Sequence, residues 1–338
     1  MRLSIVKLLI VPMLAIGLAG CGEKVQQSQA IDHYVTGQIL AEQGETDAAL
    51  EELARALKYN PDLDVAYSAI GDIHRHQGNY DAARESYERA CEVNPYSFRP
   101  HYNLGVTYQI LAAATRTIQR MDEYLFKAVA VYLRAVTLEP TDFEANLNIS
   151  ACYFQLGKFD LAEQYCRAAI KISPNSPQAY SNLGIIYDGL NRPNDAIAAF
   201  RNSLDLDTRQ PKLLLNMGST YMRQGIHKQA MHCYDLALRQ DATLAAAYEL
   251  KGMCSHQMKD YQQSLECYQR ALLLDPKSAI AHRGVGIAYM SQYVLDNSLE
   301  DYRENAISSW RKSLDIEPDQ DDLLRLIERY DPIAPGRL

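Results

Sequence analysis

The feature that most constrains this chain is a recurrence of small residues and prolines every 34 positions. Gly37, Gly71 and Gly105 keep the interval, and so do Gly184, Gly218, Gly252 and Gly286. Ala49 and Ala83, Ala128, Ala162, Ala196 and Ala230 keep it in a second phase, with Ala306 further on. Pro61 and Pro95, Pro140 and Pro174, and then Pro276 hold a third phase, with Pro318 last. A fixed period of this length means one supersecondary unit repeated, each copy too small to bury its apolar face alone. Laid in one frame, the chain divides into eight units starting near Ala30, Asp64, Phe98, Phe143, Pro177, Pro211, Ala245 and Ala279. Positions below are counted from those starts.

The pattern inside a unit reads mechanically. Position 8 is Gly in seven units and Ser150 in the other, and position 20 is Ala except for Ser264. Position 27 is Ala or an equally small Ser, at Ser203 and Ser313. Small side chains there let two helices approach closely. Position 24 carries bulk in most units, at Tyr87, Tyr132, Phe200, Tyr234, Tyr268 and Trp310, and fills the volume left open. Position 11 is Tyr in five units, which helps to explain 23 Tyr against 6 Phe and 1 Trp. Gly at position 15 in units 1, 2, 4 and 6 marks the turn between two helices. Pro at position 32 ends the second helix, because it cannot continue the hydrogen-bond ladder.

These units resemble the tetratricopeptide repeat. Tyr102-Asn103-Leu104-Gly105-Val106-Thr107-Tyr108 is similar to its first helix, and Ala83-Arg84-Glu85-Ser86-Tyr87-Glu88-Arg89-Ala90 to its second. The resemblance covers residues 30 to about 320. It implies an all-α fold, a right-handed α-solenoid of about eight helical hairpins lined inside by first helices, with a protein-binding rather than enzymatic role. Residues 321–331 read as an extra helix that caps the last unit, and 332–338 as a tail.

Two units break the period. Unit 3 is 11 residues too long, within 111–123, and unit 8 is 8 too long, within 291–304. Good helix formers fill the first insertion, so it reads as a lengthened hairpin. Either insertion is drift in a tolerant loop or a spur on which a partner docks.

The first residues add a location. Arg2 and Lys7 precede an apolar run, Leu8 to Ala19, that is too short to span a bilayer and is followed by Gly20-Cys21. Leu18-Ala19-Gly20-Cys21 resembles the lipobox of bacterial lipoproteins. The resemblance implies cleavage after residue 20, acylation of Cys21 and a short tether over 21–29. Gly22 in place of Asp then favours the outer membrane, facing the periplasm. The alternative is an ordinary secretory signal in which Cys21 is incidental. A lipid-anchored repeat array is similar to pilotin-type lipoproteins of type IV pilus assembly, and an adaptor for cell-wall hydrolases is a second reading.

By the same resemblance, positions 2, 5, 6, 9, 12 and 13 face the groove. Position 6 is Asn at Asn103, Asn148, Asn182 and Asn216. Each amide offers donor and acceptor together and suits an extended peptide backbone, although Asn also recurs there for structural reasons. Tyr102, Leu147, Phe154, Ile185, Leu215 and Met222 supply apolar contacts along that groove, with Val106, Ile110, Met253 and Met290. Lys212 is the only groove Lys, so a clamp for a terminal carboxylate is not expected.

The net charge of −8, or −10 without Arg2 and Lys7, gives no electrostatic footprint for nucleic acid. No cofactor motif, metal site or small-molecule substrate site is expected. Cys91, Cys152, Cys166, Cys233, Cys254 and Cys267 are either buried small hydrophobes or partners in disulfides, for which fifteen complete pairings exist. A thiol- or metal-dependent activity using Cys254, His256 and Cys267 is the rival of another class. The two-residue spacing of Cys254 and His256 points them about 200° apart on a helix.

Overall fold

Where first helices were expected, helices form, and several of their starts supply a capping side chain or a proline. The computed structural model describes residues 25–331. Within them lie seventeen helices and no strand: α1 (25–42), α2 (Thr46–Tyr59), α3 (Asp64–His76), α4 (Tyr80–Val93), α5 (Phe98–Ala114), α6 (Ile118–Leu138), α7 (Phe143–Gln155), α8 (Phe159–Ile172), α9 (Pro177–Gly189), α10 (Pro193–Leu206), α11 (Pro211–Arg223), α12 (His227–Gln240), α13 (Ala245–Gln257), α14 (Tyr261–Leu274), α15 (Ala279–Leu295), α16 (Glu300–Ile316) and α17 (Asp321–Tyr330). Asp142, Ser176, Asp260 and Ser278 cap α7, α9, α14 and α15 by accepting from a backbone N–H three residues on. Pro177, Pro193 and Pro211 open α9, α10 and α11, where a missing N–H costs nothing.

The chain forms two compact bodies, one up to Pro174 and one from Asn175. In each body, successive helices pair as antiparallel hairpins. The packing inside a hairpin follows the sequence pattern. A Cβ added to Gly71 would lie 2.7 Å from the ring of Tyr87, and at Gly105 or Gly218 it would lie 2.5 Å from Tyr132 or Tyr234. The rings of Tyr87, Tyr132, Phe200 and Tyr234 are fully buried. Position 8 is therefore empty because the ring at position 24 fills it. Repeat 4 reverses the arrangement: Ser150 brings a Cβ and a hydroxyl, and position 24 shrinks to Cys166. The Ser150 hydroxyl donates to the Ala162 carbonyl at 2.9 Å, so the buried polar group is satisfied.

The turns follow the same economy of backbone. Gly44, Gly78, Gly157 and Gly225 sit at φ between +68° and +82°, the left-handed region. Repeats 5 and 7 make that turn with Asn191 at +55° and Lys259 at +64°.

The insertion in repeat 3 lengthens both helices. α5 and α6 have 17 and 21 residues, against 13 and 14 in α3 and α4. Ala112, Leu125 and Val129 fill the extension's core, and Ile118 at its tip is 75% exposed. Repeat 8 likewise grows to 17 residues in each helix. The helix α17 then covers the last hairpin, with Leu323 fully buried beside Met290, Ala306 and Trp310.

One expectation about the amino end needs correction. Residues 25–29 are helical and belong to α1, so the tether expected over 21–29 ends by residue 24. The repeat frame places a boundary at Ala30, but no earlier repeat forces a turn there, and Gln26, Gln27 and Gln29 extend the helix. Cys21, the leader 1–20 and the tail 332–338 lie outside the described residues.

Candidate functional site

First helices carry the groove positions, and the structure shows how far each is open. In the amino-terminal body, Tyr102, Asn103, Asn148 and Phe154 are half-buried. Leu147 is not a groove contact: it is 2% exposed, and with Ala145 and Asn146 it puts three consecutive residues of α7 in the interior. Burial there gains more than a rim position would, because the isobutyl group leaves water entirely. Phe154 packs against Phe159 across the turn, with ring centroids 5.5 Å apart.

The two asparagines of this body are already engaged. Asn103 donates to Asp72 Oδ1 at 3.0 Å, and Asn148 donates to the Tyr102 hydroxyl at 3.4 Å. Both bonds bind a first helix to the first helix before it. Each amide keeps its oxygen as an acceptor for a ligand.

Asp72 is the hub that sequence reasoning missed. Its Oδ1 also accepts from the buried Tyr87 hydroxyl at 2.6 Å, and Arg99 reaches Oδ2 at 3.4 Å. Burial, reinforced by the carboxylate of Asp72, pushes the Tyr87 hydroxyl far above its ordinary range, so it remains a donor at any physiological pH. The available signal was the acid at position 9 of unit 2, one turn from Arg75, whose Nε donates to the same hydroxyl at 3.3 Å. A small pocket of about 80 Å³ opens beside this hub between α1, α3 and α5. Tyr34, Gln38, Asp64, Val65, Ser68 and Arg99 line it.

In the carboxy-terminal body, Asn182 is half-buried and Asn216 exposed, while Ile185, Leu215 and Met222 are half-buried. Met253 is 38% exposed, but Met290 is 6% exposed and belongs to the core under α17. Asp188 accepts from Thr220 Oγ1 at 3.0 Å and pairs with Arg223, which ties α9 to α11 much as Asp72 ties α3 to α5.

The residues of the rival activity are held apart. Cys254 is fully buried and directs its Sγ to the His227 carbonyl at 3.5 Å. His256 instead meets Ser291 Oγ at 3.0 Å and packs on Tyr261. Burial raises the Cys254 thiol and takes that of Cys267 up to about 11, so neither offers a thiolate near neutral pH. Among the described residues, no three His, Cys, Asp or Glu side chains come together to hold a metal.

Helical hairpins of this length, with glycine facing an aromatic ring inside six of the eight, define a tetratricopeptide-repeat protein, a class of protein-interaction scaffold. Residues 36–285 match the family described as the Cilia and flagella-associated protein 70 C-terminal domain, and the chain belongs to that family. None of the curated proteins matches the sequence. Among solved structures, the APC/C hetero-tetramer Cut9-Hcn1 is similar at 17% identity and a TM-score of 0.56, covering 83% of this chain. The chain spans about half (52%) of that one. The pilF protein of Pseudomonas aeruginosa is similar at 20% identity and a TM-score of 0.51, covering 64% of this chain and 94% of its own. Both likenesses concern the fold.

Proposed function

We propose that this chain is a lipid-anchored scaffold of the bacterial envelope, tethered through acylated Cys21 and gripping protein segments in the groove of its first helices. The observation that carries this reading is the order of parts: a positive leader, an apolar run and Leu18-Ala19-Gly20-Cys21 stand directly before the repeats. With α1 starting by residue 25, at most four peptide steps separate Cys21 from the folded array. Fully extended, that is about 14 Å, so an anchor at Cys21 would hold the first hairpin at the membrane surface. No helix of the described residues is long and apolar enough to cross a membrane, and in this reading acyl chains on Cys21 do the anchoring. Half-open apolar side chains such as Ile185, Leu215 and Met222 then form the surface that partners meet. The partners would be proteins of a pilus, secretion or cell-wall machine on the periplasmic face of the outer membrane.

The test is direct. Mass analysis of protein extracted from membranes should find a chain beginning at Cys21 and carrying acyl groups, and Cys21→Ser should leave the membrane fraction. A chain cleaved elsewhere, or one whose Cys21→Ser variant stays membrane-bound, would sink the anchoring.

A further inference from the structure

We infer that the pocket beside Asp72 is a subsite for a lysine side chain, presented by a partner segment whose neighbouring apolar residue rests on α1 and α3. The inference rests on the reading of the first-helix groove as a surface for protein segments, and it names the chemistry one part of that surface selects.

Three observations carry it. The first is charge. Asp64 and Asp72 both line the pocket, and Arg99 is the cation among its lining side chains. Asp64 Oδ2 is taken by Asn94 at 2.8 Å, and Asp72 Oδ1 by Tyr87 and Asn103, with the Arg75 guanidinium 3.8 Å away behind the pocket. Asp72 Oδ2 is met by Arg99 at 3.4 Å, a long contact from a side chain that is itself 77% exposed. Arg99 thus stands where an incoming cation would, weakly held and displaceable into water.

The second observation is an unsatisfied group. Ser68 lines the pocket, is 7% exposed, and its hydroxyl has no hydrogen-bond partner. A buried hydroxyl without a partner is uncommon and marks a place where a ligand atom or water completes the site.

Size and surroundings supply the third. The pocket, about 80 Å³, holds several waters and so has room for an ammonium head. At its edge Val65 is 40% exposed, and α1, which supplies Tyr34 and Gln38 to the pocket, carries Ile31 and Val35, one turn apart and each 47% exposed. An apolar residue next to the lysine would cover this shelf.

The experiment is fluorescence anisotropy of the full chain with three labelled ten-residue peptides of Gly and Ser around a central Leu-Lys, Leu-Glu or Ala-Lys pair. The Leu-Lys peptide should bind saturably and the other two at least ten-fold more weakly. Arg99→Ala should tighten the Leu-Lys peptide several-fold by removing the resident cation, and Val65→Ser should loosen it without changing the melting temperature. Equal binding of Leu-Lys and Leu-Glu, no binding of either, or weaker binding by Arg99→Ala would overturn the inference. A photo-crosslinker placed at Val65 or at Ile185 in the cell separates this from the parent reading. Adducts at Ile185 alone would remove only the lysine subsite, whereas none at either position would remove the groove reading as well.

Discussion

At the scale of single residues, the most informative contact is between positions 8 and 24 of one hairpin. Because the ring at position 24 occupies the space of a missing Cβ, each pair carries one large partner and one small. Ser150 with Cys166 is the exception that shows the rule. Replacing Cys166 by Tyr should therefore destabilise the chain by about 1–3 kcal/mol, the usual range for overpacking. Adding Ser150→Gly should restore most of that loss, a coupling that a double-mutant cycle in denaturant measures. Independent effects would show the two side chains do not compete for one volume. Lys259 offers a second test. A side chain at φ +64° costs about 1–2 kcal/mol relative to glycine, so Lys259→Gly should raise the melting temperature. The same change at Asn191 should gain less, because Asn tolerates this region.

At the scale of elements, the sequence disclosed where helices begin, since the recurrence of Gly, Ala and Pro is a packing constraint written at fixed intervals. It did not disclose how repeats without the terminal proline end. Repeat 5 stops α10 with Gln210, whose Nε2 donates to the Ser203 and Asp207 carbonyls at 3.0 and 2.7 Å. Gln320 does the same after α16, in a repeat that does keep its proline at Pro318, donating to Ser313 and Glu317. In both, the serine at position 27 donates to the first residue of its own repeat, Pro177 at 2.7 Å and Ala279 at 2.9 Å. The motif is a Ser followed seven residues later by Gln, which is legible only once its purpose is known. Gln210→Ala should cost about 1–2 kcal/mol, because it strands helix-end carbonyls. Hydrogen exchange should localise the loss to the end of α10, and a loss spread evenly over the body would argue against the cap. Groove positions were less legible than helix starts. Leu147 and Met290 turned inward because periodicity tells which face a residue occupies, not what covers that face, and α17 covers the second.

For the whole molecule, the buried acids of the core predict its response to alkali. Burial pushes the thiols of Cys152 and Cys166 up to about 12 and those of Cys233 and Cys267 up to about 11. The unfolded chain ionises its thiols near 8.5, so as pH rises past that value it loses protons that the folded chain keeps. Stability should be level around neutrality and fall from about pH 9 to about 11. Denaturant midpoints across that range check it, and a flat profile would mean the thiols are not enclosed. The same enclosure predicts that a thiol reagent at pH 7 leaves these four cysteines untouched until the chain is unfolded.

The reciprocity of positions 8 and 24 also bears on how such an array can change its length. Both partners of a pair lie in one hairpin, so a duplication or deletion that breaks between hairpins carries whole pairs with it. A recombination point inside a hairpin would join the serine of repeat 4 to another repeat's ring, or a glycine to Cys166, leaving a clash or a void. Gly284 adds a constraint across a boundary, since it lies against Tyr268 of the preceding hairpin. A break between repeats 7 and 8 must therefore keep a small residue opposite that ring, and the breaks before it must keep such side-chain ties as Asn103 to Asp72 and Thr220 to Asp188.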